Sequence, residues 1–325
     1  MNAERQGTTA RLLAPSRWRA WEFAVWLLIW AAPLALPQHA ALINEIAIFA
    51  LFAMSLDLVL GYAGIVSLGQ AAFFGAGAYA AGLLAKQGIG DPLMGLAIST
   101  LLGALLGALT SPMIVRGTDL TRLMVTMGVA LVLYELANKY SEITGGADGL
   151  QGIVMGPLLG QFEFDLGARV ASFYSLAVLF IAFLLLRRFV HSQLGISLQA
   201  LRDNRLRTTA IGLSVNGRLA LVYTLGAALA GAAGALAAQT TGFASLDGLE
   251  FHRSADVMLA LVIGGAGWLW GGLVGAIAFK VLHDLISAFT PQYWTFWIGL
   301  FLVVLMLVGR ERLLRPRQWL KRGRP

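Results

Sequence analysis

The chain of 325 residues contains no cysteine, which excludes disulfide bonds, thiol catalysis and cysteine-based metal sites. Its four histidines, residues 39, 191, 252 and 283, are scattered and show no HExxH or other tight metal-ligand spacing. No GxxxxGK(S/T) phosphate-binding loop occurs, so any ATP-driven process needs an ATPase on a separate polypeptide. We therefore expect no catalytic site, no metal and no cofactor in this chain.

Charged residues are also scarce. They form 13% of the chain, against about 25% in soluble domains, while 58% of the residues are hydrophobic. A soluble protein of this length could not bury so much apolar surface, because surface falls slowly with size. The apolar segments are long runs without the two-residue alternation of a membrane strand. The composition therefore predicts an all-α polytopic integral membrane protein.

Several stretches approach the roughly 20 apolar residues that cross a bilayer as a helix. They are residues 21–37, 41–60, 71–86, 93–114, 122–138, 171–190, 218–238, 255–268, 271–290 and 292–309. We predict about ten transmembrane helices. The predicted organisation is a basic tail 1–20, a membrane domain 21–309 and a second basic tail 310–325.

Lysine and arginine are distributed unevenly between the predicted loops. With ten spans and both termini on one side, most of the 24 basic residues fall on that side. The positive-inside rule assigns that side to the cytoplasm. The net charge of +7 is therefore mainly an orientation signal, and contact with anionic lipid explains it better than binding of nucleic acid.

Two segments between the spans are longer than ordinary loops. The predicted outer segment, residues 139–170, contains the turn-rich run TGGADGL. The predicted cytoplasmic segment, residues 191–217, has a helical pattern of its own. Each segment therefore needs a reason beyond joining two spans.

The cytoplasmic segment carries a short amphipathic pattern. Leu198, Leu201 and Ile196 are expected to form one apolar face, and Arg202 to Arg205 a polar one. Such a helix can lie in the groove of a partner, and the alternative is a basic loop that only sets the topology. Glycines at 195 and 212 are expected to bracket it as chain reversals.

Two glycine-rich runs lie beside apolar spans, GYAGIVSLG at 61–69 and GGAGWLWGG at 264–272. Helices broken at membrane depth occur only where they are buried in protein or line a watery cavity. The two runs are therefore candidates for helix breaks, and the extent of breaking near Gly61 and Gly264 stays open at this point. Elsewhere the small-xxx-small spacings, at 103 and 107 and at 271 and 275, predict close helix packing.

The run from Gly61 to Ala85, GYAGIVSLGQAAFFGAGAYAAGLLA, resembles the signature of the membrane subunits of branched-chain amino acid ABC transporters, especially the LivM-type permeases. The stretch 200–236 is similar to the segment by which those permeases engage their ATPase. TGGADGL and GGAGWLWGGLVGA also resemble family landmarks. Two positions depart from the pattern, since Gln70 stands where many relatives carry histidine and Asp57 where asparagine is common.

The resemblance implies the permease subunit of an ATP-driven ABC importer in a bacterial inner membrane, with both termini cytoplasmic. Its substrate would be a branched-chain or related amino acid, moved by alternating access. The implied partners are two cytoplasmic ABC ATPase subunits, a homologous second permease subunit and a periplasmic solute-binding protein.

Three groups of residues are candidates for function. ATPase coupling is assigned to Leu198, Ala200, Leu201, Arg202, Asp203, Ala210 and Gly212. The translocation pathway is assigned to Asp57, Gly61, Gly64, Ser67, Gln70 and Tyr79, where a few hydrogen-bonding groups among apolar walls suit an apolar amino acid. Contact with the binding protein is assigned to Thr144, Gly146, Asp148 and Gly149.

Other functions stay open at this point. Related importers carry urea, amides or small carboxylates. An ion-coupled secondary transporter could use Asp57, or Lys280 and Asp284, which are spaced to pair on one helix face. A membrane-embedded enzyme would need titratable groups that converge on one cavity, and the sequence shows few of them.

Overall fold

A computed structural model of the chain describes residues 19–164 and 167–289, with a few isolated positions between 296 and 303. The described part is helical and holds two isolated β-bridges but no strand, which confirms the all-α prediction. The long helices are α1 Ala20–Ala35, α2 Ala40–Asp57, α3 Gln70–Lys86, α4 Pro92–Val115, α5 Asp119–Lys139, α7 Arg169–Val190, α10 Val215–Thr241, α11 Phe251–Gly264 and α12 Gly271–Phe289. The short helices are α6 Ser141–Thr144, α8 Gln193–Asp203 and α9 Arg205–Ala210.

Each predicted span up to residue 290 coincides with one of the long helices to within a few residues. Among the described residues, six helices are long and apolar enough to cross a membrane, namely Pro37–Tyr62 around α2, Gly271–Ala288 in α12, and all of α4, α5, α7 and α10. The chain is therefore a multi-pass membrane protein. The predicted span 292–309 and almost all of the two tails lie outside the described residues, so the count of ten and the domain boundaries stay predictions.

Helix α10 is the central helix of the fold and is mostly buried inside the protein. Its small side chains let α4 approach closely, because Gly231 lies against the carbonyl oxygen of Ser99 and the backbone of Gly103. The Ser99 hydroxyl also donates a hydrogen bond of 2.9 Å to the carbonyl of Gly77, which joins α4 to α3. Lipid gives helices no hydrophobic reason to associate, so this close van der Waals packing holds the spans together.

Both small-xxx-small spacings mark close helix contacts, as predicted. Gly103 and Gly107 of α4 face Ala227 of α10. Gly271 and Gly275 of α12 face the backbone at the C-terminal end of α11. A methyl group at any of these four glycines would overlap a neighbouring helix.

The outward faces of α4 and α5 are apolar and exposed. Large side chains along them are exposed by half or more, among them Leu101, Leu105, Leu109, Leu120, Met124 and Leu131. Such a surface suits contact with lipid tails or with another membrane subunit. It contrasts with α2 and α10, which lie mostly inside the protein.

Both glycine-rich runs interrupt helices, and the structure gives the extent of breaking that the sequence left open. Helix α2 continues into a π turn at Leu58–Tyr62, and the chain is then irregular until α3 begins. Helix α11 ends at Gly264, and the link to α12 contains two left-handed glycines, Gly265 and Gly267. Side chains of α11 and α5 hold the first break, since the Ala71 N–H donates to the Ser254 hydroxyl at 2.8 Å and the Leu68 N–H to the Thr126 hydroxyl at 3.3 Å.

The segment 191–217 forms two short helices, α8 and α9. Asn204 separates them in an extended conformation, and its side chain accepts a hydrogen bond of 2.9 Å from the Arg207 N–H. Gly212 ends α9 in a left-handed turn, as expected for a reversal. The expectation for Gly195 is wrong, because this residue lies inside α8, where it makes room for the carbonyl of Val190.

The contacts of Gly231 predict a test of the close packing between α10 and α4. Gly231→Ala should lower the free energy of unfolding by about 1–3 kcal/mol, because the new methyl group overlaps the Ser99 carbonyl. Gly128→Ala is the matched control, since Gly128 lies in α5 with no neighbouring atom within 4 Å. Thermal unfolding in detergent measures both, and equal melting temperatures would contradict the packing role.

Candidate functional site

Arg202, near the end of α8, reaches the break that follows α2. Its Nη1 donates a hydrogen bond to the carbonyl oxygen of Gly61. Its aliphatic stem lies over Gly64, where an added methyl group would come 2.9 Å from the Arg202 Cγ. The Nε and Nη2 atoms donate to the carboxylate of Asp203 at 3.3 Å each. Arg202 therefore attaches the short helix α8 to a broken membrane helix.

The two helix breaks also contact each other. The Asp57 carboxylate is buried, with 3% of the residue exposed, and it accepts a hydrogen bond of 2.7 Å from the N–H of Gly267. Gly61 lies so close to this pair that a methyl group there would overlap the Asp57 carboxylate and the Gly267 backbone. We call Asp57, Gly61, Gly64, Arg202 and Gly267 the Arg202 junction.

The local sequence explains why these groups meet. A helix that ends leaves carbonyl and N–H groups without partners inside the helix, and buried backbone groups need partners elsewhere. The guanidinium of Arg202 supplies several donors for the Gly61 carbonyl and its surroundings. Gly267 has φ +78, a left-handed conformation that side chains disfavour, and this conformation presents its N–H to Asp57.

Helix α8 uses its apolar face to anchor itself to its own membrane domain. Leu198 and Leu201 are 1% and 5% exposed and belong to the main hydrophobic core. Ile196 is 50% exposed. The expectation that these three residues form one free apolar face is therefore wrong, because the helical period directs Leu198 and Leu201 inward and Ile196 outward.

The remaining predicted coupling residues are on the surface. They are Ala200, Arg202, Asp203, Ala210 and Gly212. Two large apolar side chains that were not among the predicted coupling residues lie beside them. Leu206 is 85% exposed and Ile211 is 69% exposed. We call Leu206, Ile211 and the five exposed residues the α8–α9 face. The sequence could have indicated these two residues, because they are the large apolar residues of an otherwise polar run.

The predicted pathway residues lie in separate parts of the structure. Asp57, Gly61 and Gly64 belong to the Arg202 junction. Ser67 and Gln70 are buried where α3 begins, and the Gln70 amide atoms have no hydrogen-bond partner among the described residues. Tyr79 lies in a second apolar cluster further along α3. Their role in a pathway stays a prediction.

The residues predicted to contact a binding protein shape a turn. Thr144 is buried, and its hydroxyl donates 2.6 Å to the carbonyl of Ala137 and accepts 3.2 Å from the Gly146 N–H. Gly146 and Gly149 are buried as well, whereas Asp148 is exposed. Of the four predicted residues, Asp148 is the one whose side chain is available to a partner.

A cleft of about 360 Å³ lies at the opposite end of the fold from α8. Its floor is apolar and formed by Ile48, Phe49, Phe52 and Phe74. Two ion pairs stand at its rim: Lys280 Nζ lies 3.1 Å from the Glu45 carboxylate, and Arg253 Nη2 lies 2.7 Å from the Asp247 carboxylate. None of the six predicted pathway residues is among the described residues that line this cleft.

The partner of Lys280 corrects one prediction. Lys280 of α12 pairs with Glu45 of α2, so the predicted pair with Asp284 on the same helix is wrong. An ion pair between two helices neutralises a charge within a span and also links those helices. The sequence signal for such a pair was a single lysine inside an apolar span, because a charged side chain within a membrane is costly unless it is paired.

The rim carries a small ion-pair network outside the spans. His252 Nε2 lies 3.2 Å from Asp247 and Nδ1 lies 2.8 Å from Glu250. Partial burial by itself would raise the pKa of the Asp247 carboxyl, but Arg253 and His252 together lower that pKa below its usual value. Asp247, Glu250 and His252 place their ligand atoms within 4.8 Å of one another, a grouping that sequence spacing did not reveal. Since Arg253 already neutralises Asp247, we interpret the group as an ion-pair network.

Three helices join the Arg202 junction to the cleft. Helix α2 runs from Glu45 at the cleft to Asp57 at the junction, roughly 18 Å at 1.5 Å per residue. Helix α11 runs from Arg253 to the second break, and α12 runs from that break to Lys280. The Arg202 junction and the rim of the cleft are therefore connected by three helices.

Several apolar spans, two interrupted helices that meet inside the protein, and a polar helix outside the spans attached to both define the class of a membrane transport subunit. The chain belongs to the family described as branched-chain amino acid transport system / permease component, whose family model matches residues 39–308. It is therefore a permease-type subunit, and the resemblance stated from its motifs is confirmed.

Relatives of known description agree with this assignment. The permease protein LivM of a high-affinity branched-chain amino acid transport system is 30% identical over 306 residues in Salmonella typhimurium and in Escherichia coli, which covers 85% of this chain and 70% of the relative. The permease protein BraD of Pseudomonas aeruginosa is 25% identical over 82% of this chain and 92% of its own. The permease protein LivH of Salmonella typhimurium is 27% identical over 40% of this chain and 42% of its own. No solved structure matches.

The geometry of the Arg202 junction predicts how substitutions of Asp57 change the stability of the protein. Asp57→Asn should leave stability nearly unchanged, because the side-chain oxygen of asparagine can still accept the hydrogen bond from the Gly267 N–H. Asp57→Leu should lower the free energy of unfolding by about 1–3 kcal/mol, since a buried N–H loses its partner. Thermal unfolding of the purified variants in detergent measures the difference. An asparagine variant as unstable as the leucine variant would show that the charge itself is needed.

Proposed function

We propose that this chain is the membrane subunit of an ATP-driven importer of branched-chain amino acids, with α8 as the element that receives the ATP-dependent movement. The observation that carries the proposal is the contact of Arg202 with Gly61 and Gly64, next to the hydrogen bond between Asp57 and Gly267. One exposed helix is thereby joined to both interrupted membrane helices. Such an arrangement converts a push from outside the membrane into a rearrangement within it.

The α8–α9 face is the proposed docking surface for one of two cytoplasmic ABC ATPase subunits, and the second permease subunit proposed below would dock the other. The chain has no phosphate-binding loop of its own, and Leu206 and Ile211 are strongly exposed on a polar segment. Exposed large apolar side chains within a polar rim are typical of protein interfaces. Leu198 and Leu201 hold α8 to the membrane domain, so the docking contacts come from its other side.

The remaining partners follow from the family and from the two ends of the fold. The relatives include LivM and LivH, both described as permease proteins of a high-affinity branched-chain amino acid transport system. We therefore propose a second, homologous permease subunit and a solute-binding protein that contacts the end carrying Asp148 and the cleft. By the positive-inside rule the α8 end is cytoplasmic, together with both termini, in the inner membrane of a bacterium.

The cleft fits the proposed substrate class. A zwitterionic amino acid with an aliphatic side chain needs apolar walls, a cation for its carboxylate and an anion for its ammonium group. The cleft offers the phenyl rings of Phe49, Phe52 and Phe74 as apolar walls. The ion pair of Lys280 and Glu45 at its rim supplies the cation and the anion. Its volume of about 360 Å³ lies within the ~300–1,000 Å³ typical of ligand pockets.

The proposed cycle uses the helices as rigid levers. When ATP draws the two ATPase subunits together, they displace α8, and Arg202 moves the break at Gly61 with it. Helices α2, α11 and α12 then shift at the cleft, where the Lys280–Glu45 pair joins two of them. Access alternates between the two sides because ATP binding favours one arrangement over the other.

Arg202→Gln tests the coupling role. We expect the uptake of leucine by proteoliposomes that contain the whole importer and its binding protein to fall about tenfold or more, because a charge-assisted hydrogen bond to Gly61 is lost. ATPase subunits should still copurify, since Leu206 and Ile211 are unchanged. Arg188→Gln, an exposed arginine at the end of α7, is the matched control and should transport normally.

Two results would contradict this reading. One is normal uptake by the Arg202→Gln importer. The other is wild-type uptake that needs no ATP and collapses with an ionophore, which would favour an ion-coupled transporter.

Lys280→Met tests the role of the cleft. We expect the maximal rate of leucine uptake to fall about tenfold, because the substrate carboxylate loses its cation, while ATPase subunits still copurify. Lys280→Arg should restore part of the rate. Lys86→Met, an exposed lysine at the end of α3, is the control. An equal rate for Lys280→Met and Lys86→Met would remove the cleft from the transport path.

A further inference from the structure

A second cavity of about 320 Å³ lies at the α8 end of the fold, beside the Arg202 junction. It is bounded by the end of α4, the beginning of α5 and the two short helices α8 and α9. Three arginines line it, Arg122, Arg202 and Arg205, with Asp119 as the acidic residue among its described lining residues. Like charges gathered around one cavity create a potential that attracts an anion.

Arg122 is the strongest of these indications. Its side chain is only 7% exposed. Its Nε donates to the carbonyl of Ile114 at 3.1 Å and its Nη1 to the carboxylate of Asp119 at 2.9 Å. Its Nη2 is buried and has no hydrogen-bond partner among the described residues. A buried charged donor without a partner carries a large desolvation cost, which an anionic acceptor in the cavity would remove.

Two further groups are placed to bind the same anion. Arg205 lines the cavity together with Arg122, and among the described residues it donates a long hydrogen bond of 3.4 Å to the carbonyl of Val115. The first turn of α5, entered through Thr118, also lines the cavity and brings backbone N–H groups at the positive end of a long helix. The site is thus built from two separated arginines and a helix N-terminus.

We propose that this cavity binds a phosphate group. A phosphate offers several acceptor oxygens, and arginine binds such groups through pairs of parallel hydrogen bonds. A phosphate there has two sources, the headgroup of an anionic phospholipid and inorganic phosphate. The structure favours the lipid, because the cavity lies at one end of α4 and α5, whose outward faces carry exposed apolar side chains such as Met113, Leu120 and Met124 against which acyl chains can lie.

The site has a consequence for the Arg202 junction. Arg202 lines the cavity and also donates to Gly61 and Asp203. A bound phosphate would compete with these two acceptors for the Arg202 guanidinium. Binding of the phosphate itself does not depend on the transport function proposed above, so it is measured without transport.

The experiment uses the full-length chain in nanodiscs made either of phosphatidylcholine alone or of phosphatidylcholine with phosphatidylglycerol. Native mass spectrometry of the released protein counts retained phosphatidylglycerol, and a second series adds millimolar inorganic phosphate. Wild-type chain should retain phosphatidylglycerol, and Arg205→Gln and Arg122→Gln should each retain it about fivefold less, as expected for one arginine at a lipid surface. Arg207→Gln, on the same short helix but outside the cavity lining, should retain as much as wild type.

The outcomes separate the possible explanations. Retention that inorganic phosphate displaces in a saturable manner supports the site with a soluble source, and retention that it does not displace supports the lipid source. Equal losses for Arg205→Gln and Arg207→Gln would overturn the proposal, since they indicate diffuse surface charge. The proposal would also be overturned if the wild-type chain bound neither phosphatidylglycerol nor inorganic phosphate, or if Arg205→Gln retained as much phosphatidylglycerol as the wild type. Arg205→Gln keeps the test decisive if Arg122→Gln does not fold.

Discussion

The arrangement of this protein depends on how two interrupted helices satisfy their backbone groups inside a membrane domain. Lipid offers no hydrogen-bond partners, so every carbonyl and N–H freed by a break must find one in the protein. Here the N–H of Gly267 meets the Asp57 carboxylate at 2.7 Å, and the Gly61 carbonyl meets Arg202. The two breaks satisfy each other through residues that lie far apart along the chain. This requirement places α8 where it is, because its arginine completes the set.

The same constraint explains the distribution of charge. Two ion pairs join different helices of the described membrane domain. Arg187 near the end of α7 pairs with the buried Glu22 of α1, and Lys280 within α12 pairs with Glu45 of α2. Each of these pairs joins two different helices. Polar groups therefore contribute to the order in which the helices pack, in addition to the close contacts that glycine allows around α10.

Helix α8 shows why an amphipathic pattern has to be interpreted with care in a membrane protein. The pattern correctly indicated a short helix with apolar and polar faces. It did not indicate which neighbour would cover the apolar face, because a partner subunit and the protein's own membrane domain are equally apolar. Leu198 and Leu201 turned out to anchor the helix, while Ala200, Arg202 and Asp203 on its other side are exposed. The exposed Leu206 and Ile211 stand on and just after the neighbouring α9. The two faces together make α8 a helix that is held on one side and accessible on the other.

The amino-acid sequence by itself determined the fold class and the positions of the apolar helices up to residue 290, and it marked 61–69 and 264–272 as candidate sites of helix breaks. These follow from local properties, namely the length of apolar runs, the clustering of glycine and the absence of charge. It also pointed to the family through motifs that the relatives confirm. Only the tertiary structure decided that the breaks meet, that Arg202 binds Gly61, that Lys280 pairs with Glu45 rather than Asp284, and which residues line the cleft. Those contacts join residues up to 235 positions apart, and hydrophobic periodicity carries no information about which helix faces which.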